Sequence, residues 1–205
     1  MIKIDAIPNF GWKIKRLDFH MEKLIFLAES YKKLPIRTIG NEIILETILV
    51  EIRAIYLENA RYKNNYTIPN FLKEIKQESF YQKIQDYLDK PLIDNVLKKV
   101  TNITDEDEII CTDTENSENY SYQNLSIRDS IKFAVDKFIV HHDETNSLYT
   151  SYYNRIINAL SGYCQPKFED VYPPTILDII DFILNTLKEA CCAIKKEELE
   201  KLINN

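Results

Sequence analysis

The sequence predicts an all-α protein, a single-domain helical bundle of about six or seven helices with one long acidic loop. Three observations carry that expectation. Glycine occurs only 3 times in 205 residues, so folds built on many tight turns lack the residue they depend on. The stretches between the glycines and the 7 prolines are long, and their apolar residues recur every three or four positions, the period of a helix rather than a strand. The chain is 45% hydrophobic and 28% charged, a balance that supports a substantial interior and excludes wholesale disorder.

After Pro8 and Gly11, a first helix is expected over about Trp12 to Lys33. Leu17, Met21, Leu24 and Ala28 form one stripe, and Leu34-Pro35 and Gly40 end it. Asn41 to about Arg61 has the strongest pattern, Leu45, Ile48, Leu49, Ile52, Ile55 and Tyr56, with Asn41 placed to cap it. Pro69 opens a third segment from Asn70 to about Leu88, carrying Phe71, Ile75, Phe80, Ile84 and Tyr87, and Pro91 starts a short helix around Leu92 to Val100.

From about 102 to 125 the sequence predicts an acidic loop. No basic residue stands between Lys99 and Arg128, while Asp105, Glu106, Asp107, Glu108, Asp113, Glu115 and Glu118 crowd the interval. Calcium binding of the EF-hand kind does not fit, because Ile109 and Ile110 occupy places that need an oxygen ligand and a turn glycine. Ser126, with Asp129 three residues on, reads as a capped start for a helix through Ile131, Val135, Phe138 and Ile139 that ends near His142. A further helix covers about Ser147 to Leu160 and stops at Gly162, with Tyr149, Tyr152, Tyr153, Ile156 and Ile157 on its apolar side. Pro173-Pro174 launches the last helix, whose stripe is Ile176, Ile180, Ile183, Leu187, Ala190 and Ile194. No internal repeat or linker divides the chain, so one domain over 1–205 is expected.

The charge and cysteine content limit the chemistry. A net charge of -6 and a pI near 5.2 exclude nucleic-acid binding by bulk charge, so any RNA contact needs a local site. Scarce glycine excludes P-loop and Rossmann phosphate cradles. Cys111, Cys164, Cys191 and Cys192 lack CxxC spacing, which suits neither a zinc site nor a disulfide framework. The start lacks an apolar core of signal-peptide length, and the most apolar later stretch is interrupted by Asp178 and Asp181, so a cytoplasmic protein that does not span a membrane is expected.

Two of the 3 histidines are adjacent in Asp136-Lys137-Phe138-Ile139-Val140-His141-His142-Asp143. A histidine at a helix end can act as a base near neutrality, with Asp143 orienting its ring, or can simply complement the helix dipole. Adjacent helical residues diverge by about 100°, so His141 and His142 do not share a metal ion on a continuing helix, and His20 stands too far from them in sequence to complete one. No metal or cofactor is expected. A helix with a long Tyr149, Tyr152, Tyr153 cluster offers a small-ligand face, although such stripes are ordinarily core.

The string Asp136, Lys137, His141, His142, Asp143 resembles the signature R-[ND]-K-x-x-x-H-[HRN]-D of the HEPN superfamily, in its abortive-infection-like branch, with the similar portion spanning about 41–160. The resemblance implies an all-helical dimer of a defence or toxin–antitoxin type system that cuts RNA without metal. In such enzymes the motif histidine serves the attacking 2′-hydroxyl and the motif arginine the crowded phosphate charge. The chain departs from the pattern at Val135, which stands where the family has arginine. Lys137 points to another helix face, and Arg128 shares the face of Val135 but lies 13 residues before His141, roughly 20 Å along an ideal helix. Arg53, seven residues after Glu46 on the second helix, is the other source of a cation, unless the two form an exposed salt-bridged side. The resemblance therefore implies His141 as base, Asp143 or Asp136 as its acceptor, Lys137 or Arg53 as the phosphate-facing cation, and Lys137, His142 and Arg128 as RNA contacts. The competing expectation is a non-catalytic helical module that binds a protein, which Val135 and the acidic pI favour.

Overall fold

The computed structural model of the chain describes residues 10–57, 67–75, 77–100, 109–115, 117–139, 147–163 and 172–203. In chain order these form α1 (Phe10–Lys33), α2 (Ile39–Glu51) with a π-helical turn Ile52–Leu57, α3 (Ile68–Glu74), α4 (Glu78–Leu88), β1 (Pro91–Val100), β2 (Cys111–Asp113), β3 (Glu118–Ser126), α5 (Ile127–Phe133) with a π-helical turn Ala134–Ile139, α6 (Ser147–Leu160) and α7 (Ile176–Ile203). The fold is mostly helical, as the periodicity predicts, but it also contains a small sheet. The chain divides into two compact units, Met1–Leu88 with Ile176–Asn205, and Asp89–Thr175. The expected 1–205 domain is thus described as two units, and the 41–160 portion spans both.

In the first unit α1 packs on α2 and on α7, and α4 packs on α7. Leu17 and Leu24 of α1, Leu45, Ile48 and Leu49 of α2, and Ile179, Ile180, Ile183 and Leu187 of α7 are buried, as a 3.6-residue stripe requires. Capping differs from expectation. Thr38 caps α2, its hydroxyl accepting from the Asn41 amide, while Asn41 sits inside the helix, buried, and donates its side-chain amide to the Tyr31 carbonyl at 3.4 Å. The expected single segment 70–88 is two helices. Thr67 caps α3 through the Asn70 amide, Ile75 closes it, and α4 restarts at Glu78. Between α4 and α7 the Tyr87 ring stacks on Phe182 with centroids 3.8 Å apart, and Lys83 Nζ meets Glu189 Oε2 at 2.7 Å.

In the second unit the sheet order is β1-β3-β2, all antiparallel. This corrects two expectations: Leu92 to Val100 is a strand, not a helix, and the acidic interval from Cys111 to Ser126 holds β2 and β3 rather than only loop. The helical look of β1 has a physical cause. Leu92, Ile93 and Val96 are all buried, although a flat strand would put Ile93 on the face opposite Leu92 and Val96. Irregular register between Pro91 and Val96, with Asn95 at φ 52°, turns both Ile93 and Val96 inward. β3 alternates more plainly, Ser121 and Leu125 buried and Tyr122 and Asn124 exposed.

β3 passes directly into α5. Ser126 is the last strand residue and the helix cap, accepting from the Asp129 amide at 3.0 Å, and the Ile127 amide donates to the Lys90 carbonyl at 2.9 Å. Helix α6 is held on β1 by the Leu97 amide, which donates to the Tyr152 hydroxyl at 3.0 Å, and by Arg155, which donates to the Asp94 carbonyl and carboxylate. It ends in a Schellman turn, with Tyr163 N donating to Asn158 O and Gly162 N to Ala159 O, where Gly162 takes φ 74°.

Burial, and then the charge of Asp178, pushes the Tyr87 phenol up to about 12 from 10.0. The folded state therefore favours the protonated phenol. The resulting stability is complete below pH 10.0 and is lost as pH rises toward about 12. Calorimetric melts of Tyr87→Phe between pH 9 and 12 are expected to fall less steeply than wild type.

Candidate functional site

Chemistry-bearing side chains gather in one place within each unit. In the first unit His20 lies on the buried stripe of α1, 5% exposed, and its Nδ1 meets Glu51 Oε1 of α2 at 2.5 Å. Lys23, one turn after His20, brings Nζ to 2.5 Å from Glu51 Oε2. Both oxygens of a carboxylate that is 6% exposed are therefore engaged. Buried polar groups persist only when so partnered. In sequence His20 stands far from His141 and His142, and its partner in the structure is Glu51 instead. The available signal was phase: His20 shares the stripe of Leu17 and Leu24, and Glu51 falls three residues after Ile48.

In the second unit a cavity of about 810 Å³ lies among the sheet, α5 with its π-helical turn, and α6. Its apolar wall is Val96, Leu97, Leu125, Phe133, Tyr149 and Tyr152, and its polar rim is Lys99, Cys111, Asp113, Glu118, Tyr120, Asp129 and Lys137. The size is that of a site for a small molecule or one nucleotide. Phe133 meets Tyr149 edge-on with centroids 5.6 Å apart, and the Lys137 ammonium lies over the Tyr149 ring, 5.6 Å from its centre. That is within cation–π range. On the strand side Lys99 donates to Glu118 Oε1, and the Tyr120 hydroxyl donates to Glu118 Oε2 at 2.7 Å. These two hydrogen bonds hold the Glu118 carboxyl below the usual range, and in return Glu118 pushes the Tyr120 phenol up to about 12.

The sequence candidates fall in different places. Lys137 lines the cavity. Asp136, beside it on the π-helical turn, is half-buried and is not among the lining residues. Val135, at the arginine position of the family signature, is 3% exposed and part of the core. Arg128 Nε pairs with Asp89 Oδ1 at 2.9 Å. Arg53 belongs to the first unit, on the π-helical turn after α2. His141, His142 and Asp143 lie outside the described residues. Among the described residues no group of three His, Cys, Asp or Glu side chains is placed to hold a metal ion, and no helix is long and apolar enough to cross a membrane.

The residues that sequence reasoning missed are those of the strands. Lys99, Cys111, Asp113, Glu118 and Tyr120 form the rim of the cavity, yet their acidic surroundings resemble a solvated loop. The alternation in Glu118–Ser126 was the signal for a strand.

Two measurements check these arrangements. Removing the ammonium in Lys99→Met is expected to raise the Glu118 carboxyl titration toward its ordinary value, and Glu118→Gln to bring the Tyr120 phenol down from about 12 toward 10.0, both read by NMR titration. In the first unit, Glu51→Ala strands a buried imidazole and is expected to cost about 3 kcal/mol in urea unfolding, in line with the loss of one member of a buried pair. Comparison with family models, with curated proteins and with solved structures finds no match to this chain.

Proposed function

We propose that this chain is a HEPN-like helical protein of a defence or toxin–antitoxin type system, working in the cytoplasm as a dimer and cutting RNA without metal beside the cavity of the second unit. One observation carries the reading: Lys137 of the signature string stands at the rim of an aromatic cavity, with its ammonium over Tyr149. A cation beside aromatic side chains is what a single-stranded RNA contact uses, since the cation attracts phosphate and rings can stack on bases. Lys137 takes precedence over Arg128 and Arg53 because it lines the cavity and they do not.

In this reading His141, four residues after Lys137, takes the proton of a ribose 2′-hydroxyl. The O2′–P bond forms, the P–O5′ bond breaks, and the leaving oxygen takes up a proton. Asp143 or Asp136 orients the imidazole, Lys137 stabilises the charge on the phosphate oxygens, and His142 contacts the RNA backbone. An internal nucleophile needs only a base and a cation, so no metal enters.

A second reading, a non-catalytic module that binds a protein, is favoured by the burial of Val135. The position that supplies the guanidinium in the family here packs in the core.

The test is incubation of the full chain with single-stranded RNA in the presence of EDTA. Cleavage is expected, reduced on the order of 10²–10⁴-fold in His141→Ala and on the order of 10²-fold in Lys137→Ala. An inert wild-type chain, or cleavage indifferent to His141→Ala, overturns the nuclease reading in favour of the module.

A further inference from the structure

Along α5 and the π-helical turn that continues it, three residues that line the cavity of the second unit stand four positions apart: Asp129, Phe133 and Lys137. All three are half-buried, while Ile127, Ile131, Ala134, Val135 and Phe138 of the same segment are buried in the core. A step of four residues is about one helical turn, so the three share a side of the helix. They set an acceptor, an aromatic ring and a cation in a row on the order of 10 Å long.

The carboxylates of the rim are not equivalent. Glu118 is engaged by Lys99 and by the Tyr120 hydroxyl, and Asp113 Oδ1 accepts the Glu115 amide at 3.0 Å. At Asp129 the backbone amide donates to Ser126 Oγ, but the carboxylate makes no hydrogen bond or ion pair among the described residues. A carboxylate in the first turn of a helix complements the dipole there. Half-buried beside an aromatic cavity, it also offers two acceptor oxygens and no donor.

We propose that this cavity holds a guanine nucleotide unit, with Asp129 as the residue that selects the base. The proposal rests on the functional reading above, which places RNA at the same cavity, and adds a base specificity to it. Phe133, Tyr149 and Tyr152 give aromatic surface that takes any base by stacking and so chooses none. The choice falls to hydrogen bonding at the base edge. Guanine presents two adjacent donors there, its ring N–H and its amino group, which match the two oxygens of one carboxylate. Adenine and cytosine set a ring-nitrogen acceptor beside their amino group, and uracil sets its single N–H between two carbonyls. Each of these brings an acceptor against the carboxylate and leaves one oxygen unanswered. At the other end of the row Lys137 meets the phosphate. A flat, donor-bearing base with an anionic tail thus follows the order of the three side chains, and a cavity of about 810 Å³ has room for it.

The test is calorimetric titration of the full chain with 5′-GMP, 5′-AMP, 5′-CMP and 5′-UMP. GMP is expected to bind at least about tenfold more tightly than the others, the discrimination of one bidentate pair. Asp129→Asn exchanges one acceptor for a donor and is expected to move the preference to AMP or CMP, whose edges pair a donor with an acceptor. Its circular dichroism should be unchanged, because the bond to Ser126 is made by the backbone. Lys137→Ala is expected to weaken GMP and to leave guanosine, which has no phosphate, unaffected. Displacement of GMP by an oligouridine carrying one guanosine identifies RNA as the source of the unit, and displacement by free nucleotides alone identifies a nucleotide site. No binding of GMP at millimolar concentration overturns the proposal, as does equal affinity for the four nucleotides, a preference for GMP that survives Asp129→Asn, or tighter binding of an aromatic amine such as tyramine. An inert chain that still selects GMP through Asp129 removes the nuclease reading and keeps the guanine site. A chain that cleaves RNA through His141 with no preference for GMP does the reverse.

Discussion

Ser126 belongs to two elements at once, and the second unit depends on that sharing. It closes β3, paired with Pro91 of β1, and it caps α5 by accepting the Asp129 amide. No residue of slack separates the sheet from the helix. The Ile127 amide, tied to the Lys90 carbonyl, holds the same junction from the β1 side. The direction in which α5 leaves the sheet is therefore set by strand pairing, and with it the positions of Phe133 and Lys137 around the cavity. A cap of this kind contributes about 1 kcal/mol, but its geometric consequence is larger, because every side chain on the far end of the helix swings with the angle at its start.

Much of this was legible in the sequence, for reasons that can be named. Stripes such as Leu45, Ile48, Leu49 and Ile52 recur at the helical period because one face must be buried, and the structure buries all four. Ser126 followed by Asp129, and Gly162 after Leu160, are local signals whose chemistry acts within a few residues. β1 was not legible, because its pairing with β3 lies across a long sequence interval and its bulge imitates helical spacing. Thr38 displaced Asn41 as cap since α2 begins at Ile39, two residues before Asn41, and Asn41 gained a buried carbonyl instead. His20 and Glu51 illustrate the other limit. Each is a single polar residue in an apolar phase, and only the packing of α1 on α2 makes them a pair.

On the proposed function, an acidic chain must confine its positive potential to one place to meet RNA. The cavity rim shows how acidic groups can be prevented from opposing that. Glu118, on the rim itself, has both oxygens engaged by Lys99 and Tyr120, which draws its charge into a local network. Lys137 approaches from the helix side, over a ring whose quadrupole tolerates a cation.

The burial of Val135 then bears on how such a site can work. A side chain buried in the core cannot deliver charge to a cleft, and a guanidinium forced there would face the desolvation penalty of an unpaired buried ion. The packing of α5 has in this sense closed the position that the signature keeps for arginine. Any transition-state cation has to come from the adjacent face, and the π-helical turn Ala134–Ile139 lies where that face is set, because an i→i+5 turn rotates the residues after it relative to a regular helix. The same turn that buries Val135 and Phe138 leaves Lys137 at the cavity. Burial of Val135 and presentation of Lys137 thus belong to one local turn, and the proposed catalytic and non-catalytic readings differ in whether a lysine so placed suffices for what a bidentate guanidinium does elsewhere.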